Sequence, residues 1–304
     1  MKVLLLTDRK GWSYDSIAIS IKKYNTDKDI SFDIECIKNN SDKIRNIYKK
    51  YDRLFVLGWQ TWDKVSKFLN SKDVLIGVHS HRSFDEGKTI PEHDIDPPKN
   101  LLKHLGKFLR VNVISERLKN LFEKNSFHVY YTPNGIDTSV FVPGRIGKPE
   151  FTIGYSGSHS HDELKGISKY IIPAANRSGI KFKAAMLNTE TYLPYSKMPD
   201  FYKHIDAYVC ASSSEGSSLS VLEAASCGKP VISTRVGECS KIIENGINGY
   251  LVDRDIDAIS DKINILRDNS DLLYTLSKNI RKKVVEEYSW DRVISYWIKF
   301  VKGE

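Results

Sequence analysis

Short apolar runs alternate along the chain with segments whose apolar side chains recur every three or four positions. KVLLLT (2–7), RLFVLG (53–58), VLIGVHS (74–80) and VNVIS (111–115) read as buried strands, SFDIECI (31–37) as a strand with alternation, and HVYYTP (128–133) as a further strand. SIAISIKKY (16–24), DKIRNIYKK (42–50), TWDKVSKFL (61–69), LLKHLGKFL (101–109) and ERLKNLFEK (116–124) read as amphipathic helices between them. Strands alternating with helices predict a parallel sheet with helices on both faces.

The rhythm stops at TPNGIDTSVFVPGRIGKPE (132–150), where Pro133, Gly135, Pro143, Gly144, Gly147 and Pro149 crowd together. That density of backbone breakers predicts a linker. The alternation then resumes. FTIGYSG, KFKAAML, AYVCAS and KPVIST are expected strands, ISKYIIPAANRSG is an expected helix, and SLSVLEAASCG is a helix closed by Gly228. Three helical patterns end the chain, IDAISDKINILRDN, LLYTLSKNIRKKVVEEY and WDRVISYWIKFV. The pattern therefore predicts two doubly wound α/β lobes. Ligands of such sheets lie beyond the carboxyl ends of the strands, and with two lobes the expected site is the cleft between them.

Composition narrows this only a little. A length of 304 residues suits two domains, and 40% hydrophobic with 28% charged residues excludes a disordered or fibrous chain. The net charge of +8 is uneven: residues 1–140 carry 24 basic and 18 acidic side chains (+6), the remainder 22 and 20 (+2). A basic first half suits a phospholipid surface, nucleic acid or a phosphorylated substrate, and it equally serves solubility. The four cysteines, Cys36, Cys210, Cys227 and Cys239, form no C-x-x-C pair, so reduced thiols in a cytoplasmic protein are expected. MKVLLLTD reads as a first strand rather than a signal peptide, and no stretch approaches the ~20 apolar residues of a membrane span.

The densest chemistry lies in ASSSEGSSLSVLEAASCGKPVIST (211–234). A strand ends in a turn of small residues, Ser212 to Ser218, and a helix begins near Leu219. Small residues allow close backbone approach to a ligand, and the free amides of a helix start bind phosphate or sugar oxygens. Glu215 stands at the mouth of the turn and Glu223 eight residues on. Carboxylates accept paired hydroxyl donors, as on a ribose or pyranose edge. Either one alone reads as an acid favoured by the helix dipole.

This segment resembles the E-x7-E signature of retaining GT-B glycosyltransferases of family four. TPNGID (132–137) resembles that family's linker, IIENGINGYLVDRD (242–255) its following strand and turn, Lys165-Gly166 its phosphate-binding lysine, and YSWDRVISYWIKFV (288–301) its terminal helix crossing back to the first lobe. The likeness spans residues 130–304 and is weak before them. It implies an acceptor-side lobe over 1–137, a linker over 138–150, a donor lobe over 151–285 and a returning helix over 286–304.

It also implies roles. Glu223 would hold the ribose hydroxyls of a UDP- or GDP-sugar, and Glu215 the hydroxyls of the donor sugar. Gly157, Ser158 and the amides of Gly216, Ser217, Ser218 and Leu219 would line the sugar and diphosphate, with Lys165 neutralising the leaving group. His79, rivalled by His81, would lie over the donor sugar. Retention would follow from same-face attack, with no metal and no cofactor beyond the sugar nucleotide.

Three departures stand out. Gly157-Ser158-His159-Ser160-His161 lacks the family's second phosphate cation, an Arg, so that either one cation is missing or His159 or His161 replaces it. The first loop, TDRKGWSYDS, has a single glycine, Gly11, beside Trp12, which either stacks on an acceptor or packs as a core aromatic. The stretch before AYVCAS, where the nucleotide base normally sits, is short. Asp94-Ile95-Asp96, and the pair Asp253 and Asp255, match a metal-binding spacing but read as solvated loop charges.

The expected acceptor is a glycan or glycolipid hydroxyl. Alternatives are a modified base in DNA, and for the protein as a whole a sugar-nucleotide epimerase or a non-catalytic nucleotide-sugar-binding module. LLKHLGKFLR (101–110) reads as a surface helix, or as a peripheral contact with an anionic membrane through Lys103, Lys107 and Arg110.

Overall fold

The structure, a computed structural model, describes every residue except 39, 81–83, 85–94 and 145–149. Among the described residues, those up to Gly135 together with Trp290–Glu304 form a first unit, and Ile136–Ser289 a second. The expected boundaries were 137 and 286.

The first unit is a sheet of six parallel strands, β1 (Lys2–Thr7), β2 (Ser31–Cys36), β3 (Arg53–Val56), β4 (Val74–Val78), β5 (Arg110–Val113) and β6 (Tyr130–Tyr131), in the order β2-β1-β3-β4-β5-β6. Every residue of β4 is buried, as in parallel strands covered on both faces. Helices α1 (Ser13–Tyr24), α2 (Ser41–Ile47), α3 (Lys99–Leu105) and α4 (Glu116–Lys124) accompany it. The C-terminal helix Trp290–Lys302 completes the same core through Trp290, Val293, Trp297 and Phe300, and the Trp297 indole donates to the Pro133 carbonyl at 2.9 Å. Gly135 allows this approach. A Cβ there would stand 2.6 Å from the Trp290 ring.

Two expected helices differ. TWDKVSKFL makes only a 3₁₀ stretch, Trp59–Lys64, because Thr61 bonds back to the Gly58 carbonyl at 2.7 Å and Trp62 turns inward onto Phe108. LLKHLGKFL stops at Leu105. Gly106 follows it, and Leu109 already donates to the Val74 carbonyl of the sheet.

The second unit repeats the topology with five parallel strands, β7 (Thr152–Ser158), β8 (Lys181–Leu187), β9 (Ala207–Cys210), β10 (Val231–Ser233) and β11 (Gly249–Leu251), in the order β11-β10-β9-β7-β8. Its helices are α5 (Asp162–Lys165), α6 (Ile172–Arg177), α7 (Met198–Lys203), α8 (Leu219–Ser226), α9 (Cys239–Ile242), α10 (Ile256–Asp268) and α11 (Ser270–Glu287), so the C-terminal helix is α12. Helix α8 is buried from Val221 to Ser226, which explains its small and apolar composition. In each unit the first strand is flanked by the second on one side and the third on the other. The strand order therefore reverses between β1 and β3, and between β7 and β9. Connections diverge there and open a crevice beyond the strand ends.

Candidate functional site

The crevice of the second unit is built from three segments. Strand β7 ends in Gly157 and Ser158. A Cβ on Gly157 would fall 2.4 Å from the Tyr155 hydroxyl oxygen, so only glycine fits. The chain then forms the single turn α5, which ends on Gly166 at a φ of +69°, a conformation glycine adopts freely. From β9 the chain runs through Ser212–Ser218 into α8. At the start of α8 the Val221 and Leu222 amides donate to the Ser218 carbonyl, and the amides before them have no carbonyl within the helix to bond.

These segments bring Lys165 and Glu215 together, 50 residues apart in sequence, as an ion pair. The Ser212 hydroxyl donates to the same carboxylate oxygen at 2.7 Å. Burial disfavours the ammonium of Lys165, yet the Glu215 carboxylate beside it outweighs burial and holds the lysine pKa above its ordinary value. The loop carrying Glu215 is held from below. Thr234 donates to the Ser212 carbonyl at 2.6 Å. Gly237, at a φ of +48°, packs so tightly that a Cβ would stand 2.4 Å from the Gly216 carbonyl and 2.8 Å from that of Glu215.

Glu223 lies deeper. It is 6% exposed on α8 and accepts from the Tyr202 hydroxyl at 2.7 Å, with Tyr195 also bonded to it. Burial pushes its pKa up to about 7, against the lowering effect of those two hydroxyls. Tyr202 in turn meets the Ser156 hydroxyl at 2.7 Å, and Ser156 adjoins Tyr208. Of the residues singled out from sequence, Lys165 and Glu215 thus touch directly. Gly216, Ser217, Ser218 and Leu219 continue from Glu215 into α8, and Glu223 sits in a separate tyrosine-lined niche one turn inside that helix. The Ser217 hydroxyl is buried without a hydrogen-bond partner. His159 and His161 fall in a short 3₁₀ turn between β7 and α5, and His159 lowers the pKa of the neighbouring Asp162, behind the larger effects of burial and of hydrogen bonds from Ser168.

The tyrosine niche, Gly237 and Arg254 lie outside the residues that the sequence pattern singles out. Tyr202 meets Glu223 across 21 residues and Arg254 meets Glu163 across 91. Arg254, in the turn after β11, donates to the carbonyls of Ala211, Glu163 and Leu164.

In the first unit the crevice between β1 and β3 is bordered by Gly11 and Trp12. Gly11 adopts a φ of +75°, and its amide donates to Asp15 at 2.7 Å. Trp12 is 48% exposed, with the Arg9 guanidinium 4.1 Å from its ring centre, so it does not pack as a core aromatic. His79, just past β4, is 8% exposed and edge-on to Tyr14 with ring centres 4.8 Å apart. Its Nε2 has no hydrogen-bond partner, and burial pushes its pKa down to about 3. His81 and Asp94 lie outside the described residues. Asp96 pairs with Lys124, Asp253 with Arg235, and Asp255 caps α10. Among the described residues no three His, Cys, Asp or Glu side chains gather as a metal site, and no helix is long and apolar enough to cross a membrane.

The family model of "Glycosyl transferases group 1" matches residues 184–283, which run from β8 through the Glu215 turn, α8 and β11 into α11. The match is thus confined to the second unit, where it covers the Glu215 turn and α8. A probable sucrose-phosphate synthase of Thermosipho melanesiensis is 29% identical over 143 residues, 47% of this chain and 32% of that protein. The chain spans between 28% and 56% of the length of its first curated relatives. Among solved structures, sucrose-phosphate synthase of Thermosynechococcus elongatus superimposes with a TM-score of 0.79 at 13% identity, covering 100% of this chain and 98% of that one. HepE of Anabaena, solved with UDP and glucose, gives 0.73 at 14% identity over all of both chains. At such identities the likeness speaks for the fold, which is GT-B: two parallel α/β units. Glu215 and α8 lie within the matched segment, and Lys165 precedes it.

Proposed function

We propose that this protein transfers a sugar from a nucleotide-diphosphate sugar, UDP- or GDP-linked, to an acceptor hydroxyl, with retention at the anomeric carbon. The observation that carries the reading is the Lys165–Glu215 pair beyond β7 and β9, beside the start of α8, in the unit whose residues 184–283 match the family model. One cation, one carboxylate and a row of helix amides suit a diphosphate joined to a polyol. Lys165 and the amides of Gly216–Leu219 take the diphosphate, with Gly157 and Ser158 beside it. Glu215 takes donor-sugar hydroxyls, and Glu223 the ribose hydroxyls. In the step itself the bond from the anomeric carbon to the phosphate oxygen breaks, the acceptor oxygen bonds the same face, and the acceptor proton passes to the departing phosphate. Lysine and amides stabilise the charge that develops, so no metal enters the step.

Gly11, Trp12 and His79 serve the acceptor side, with a glycan or glycolipid hydroxyl as acceptor. The relative excess of 24 basic over 18 acidic side chains in residues 1–140 favours DNA as the second reading. Acceptor binding that weakens steeply with salt supports DNA, and insensitivity to salt removes it. The functional reading is tested by following the product from UDP-glucose and GDP-mannose by proton NMR in the presence of a chelator. Transfer with retained anomeric configuration supports it. Inversion, or activity abolished by the chelator and restored by a divalent ion, refutes it.

A further inference from the structure

Arg254 performs no chemistry in the reading above, yet it touches both segments that create the site. Its Nε donates to the Ala211 carbonyl at 2.8 Å, one residue before the serine that binds Glu215. Its Nη2 donates to the carbonyls of Glu163 at 2.6 Å and Leu164 at 3.1 Å, the two residues before Lys165. The guanidinium lies 4.8 Å from the centre of the Tyr170 ring. A planar group with donors on two edges meets carbonyls from two segments at once with little loss of side-chain freedom.

Gly166 keeps the space open. A Cβ at that position would stand 2.7 Å from the Ala211 oxygen and 3.3 Å from Arg254 Nη2. A second link reinforces the first, since the Ser213 amide donates to the Leu164 carbonyl at 2.9 Å. The α5 turn and the β9 loop are therefore tied to each other just before Lys165 on one segment and just before Glu215 on the other. Arg254 supplies three of the four bonds named.

We propose that Arg254 is a positioning residue: it clamps the α5 turn to the end of β9 and so sets the Lys165 ammonium on the Glu215 carboxylate before any donor arrives. The importance of that arrangement for sugar transfer rests on the function proposed above, whereas the clamp itself does not. Without it, the α5 turn keeps the Ser213–Leu164 bond but loses the three bonds that Arg254 makes.

Amine acylation followed by mass spectrometry tests the clamp in the whole protein. Lys165 is shielded and ion-paired, so it reacts slowly with acetic anhydride. Arg254→Ala is expected to speed its labelling at least fivefold, with Lys229, fully buried in the same unit, unchanged as the internal control. Arg254→Lys, which keeps the charge but reaches one segment, should restore part of the protection. Equal Lys165 labelling in wild type and Arg254→Ala overturns the proposal. Should Lys229 also become reactive in Arg254→Ala, Arg254→Lys and Arg254→Gln decide. Faster Lys165 labelling with a silent Lys229 supports the clamp, and unchanged Lys165 labelling overturns it. Labelling needs no sugar nucleotide, so this result stands apart from a failure of the functional reading, in which no nucleotide would bind.

Discussion

Lys165 and Glu215 are paired across two loops that leave neighbouring strands, and the Ser212 hydroxyl shares the same carboxylate oxygen at 2.7 Å. The pair is shielded, with 21% and 12% of the two side chains exposed. Removing one partner strands the other. Glu215→Ala should lower stability by about 1–3 kcal/mol, since a shielded ammonium and a serine hydroxyl lose their acceptor. Thermal unfolding of Glu215→Ala and of the double variant Glu215→Ala/Lys165→Met checks this. The second change should recover most of the loss.

Glu223 gives a pH signature. Its pKa is raised to about 7 against an ordinary value near 4.5, so the folded chain holds a proton that the unfolded chain releases. Stability therefore falls as pH rises from about 4.5 to about 7, and the penalty is fully present above 7. A shift of that size corresponds to at most roughly 3 kcal/mol. Glu223→Gln should gain in relative stability between pH 5 and pH 8, as measured by denaturant unfolding at both. If the ionised carboxylate holds ribose hydroxyls, nucleotide affinity should fall about tenfold from pH 8 to pH 6 in the wild type and stay flat in the variant.

His79 behaves in the opposite sense. Its folded pKa of about 3 lies below the ordinary value of 6.5, so the unfolded chain takes up a proton that the folded chain refuses. Stability is lost as pH falls through 6.5 towards 3, by about 2 kcal/mol at pH 5. Its ring resonances should not titrate between pH 5 and pH 8. Titration near 6.5 would show an exposed imidazole instead of one buried against Tyr14.

Gly237 supports the loop that carries Glu215, and no side chain fits there. Gly237→Ala must relieve a contact of 2.4 Å with a backbone oxygen and adopt a φ of +48°. The expected cost is about 1–3 kcal/mol, with displacement of the Glu215 turn. Unfolding together with nucleotide affinity measures both effects. Full stability and unchanged affinity would show that the loop yields freely.

Much of the fold can be read from the chain because its central strands are short, apolar and buried on both faces. VLIGV and KVLLLT leave little choice. The Glu215–Glu223 spacing and the glycine that closes α8 are also local, so the candidate site is legible at its centre. What escapes the sequence is held together at long range. TWDKVSKFL has a helical pattern, but Trp62 turns onto Phe108, 46 positions away, and the segment stays 3₁₀. Tyr202 reaches Glu223 across 21 residues, and Arg254 reaches Glu163 across 91. Nothing in the composition of either segment announces those partners. The tyrosine in MPDFYK and the arginine in a charged turn acquire meaning only once the strand order between β7 and β9 brings them in.

The central claim is that Lys165 in the second unit meets the diphosphate of a sugar nucleotide. The most direct measurement is calorimetric titration of the wild type and Lys165→Ala with UDP, GDP, UDP-glucose and GDP-mannose at pH 8. The account predicts that one nucleotide class binds the wild type with a stoichiometry near one and binds Lys165→Ala at least tenfold more weakly. No binding by any of the four, or equal affinity in the two proteins, would contradict it.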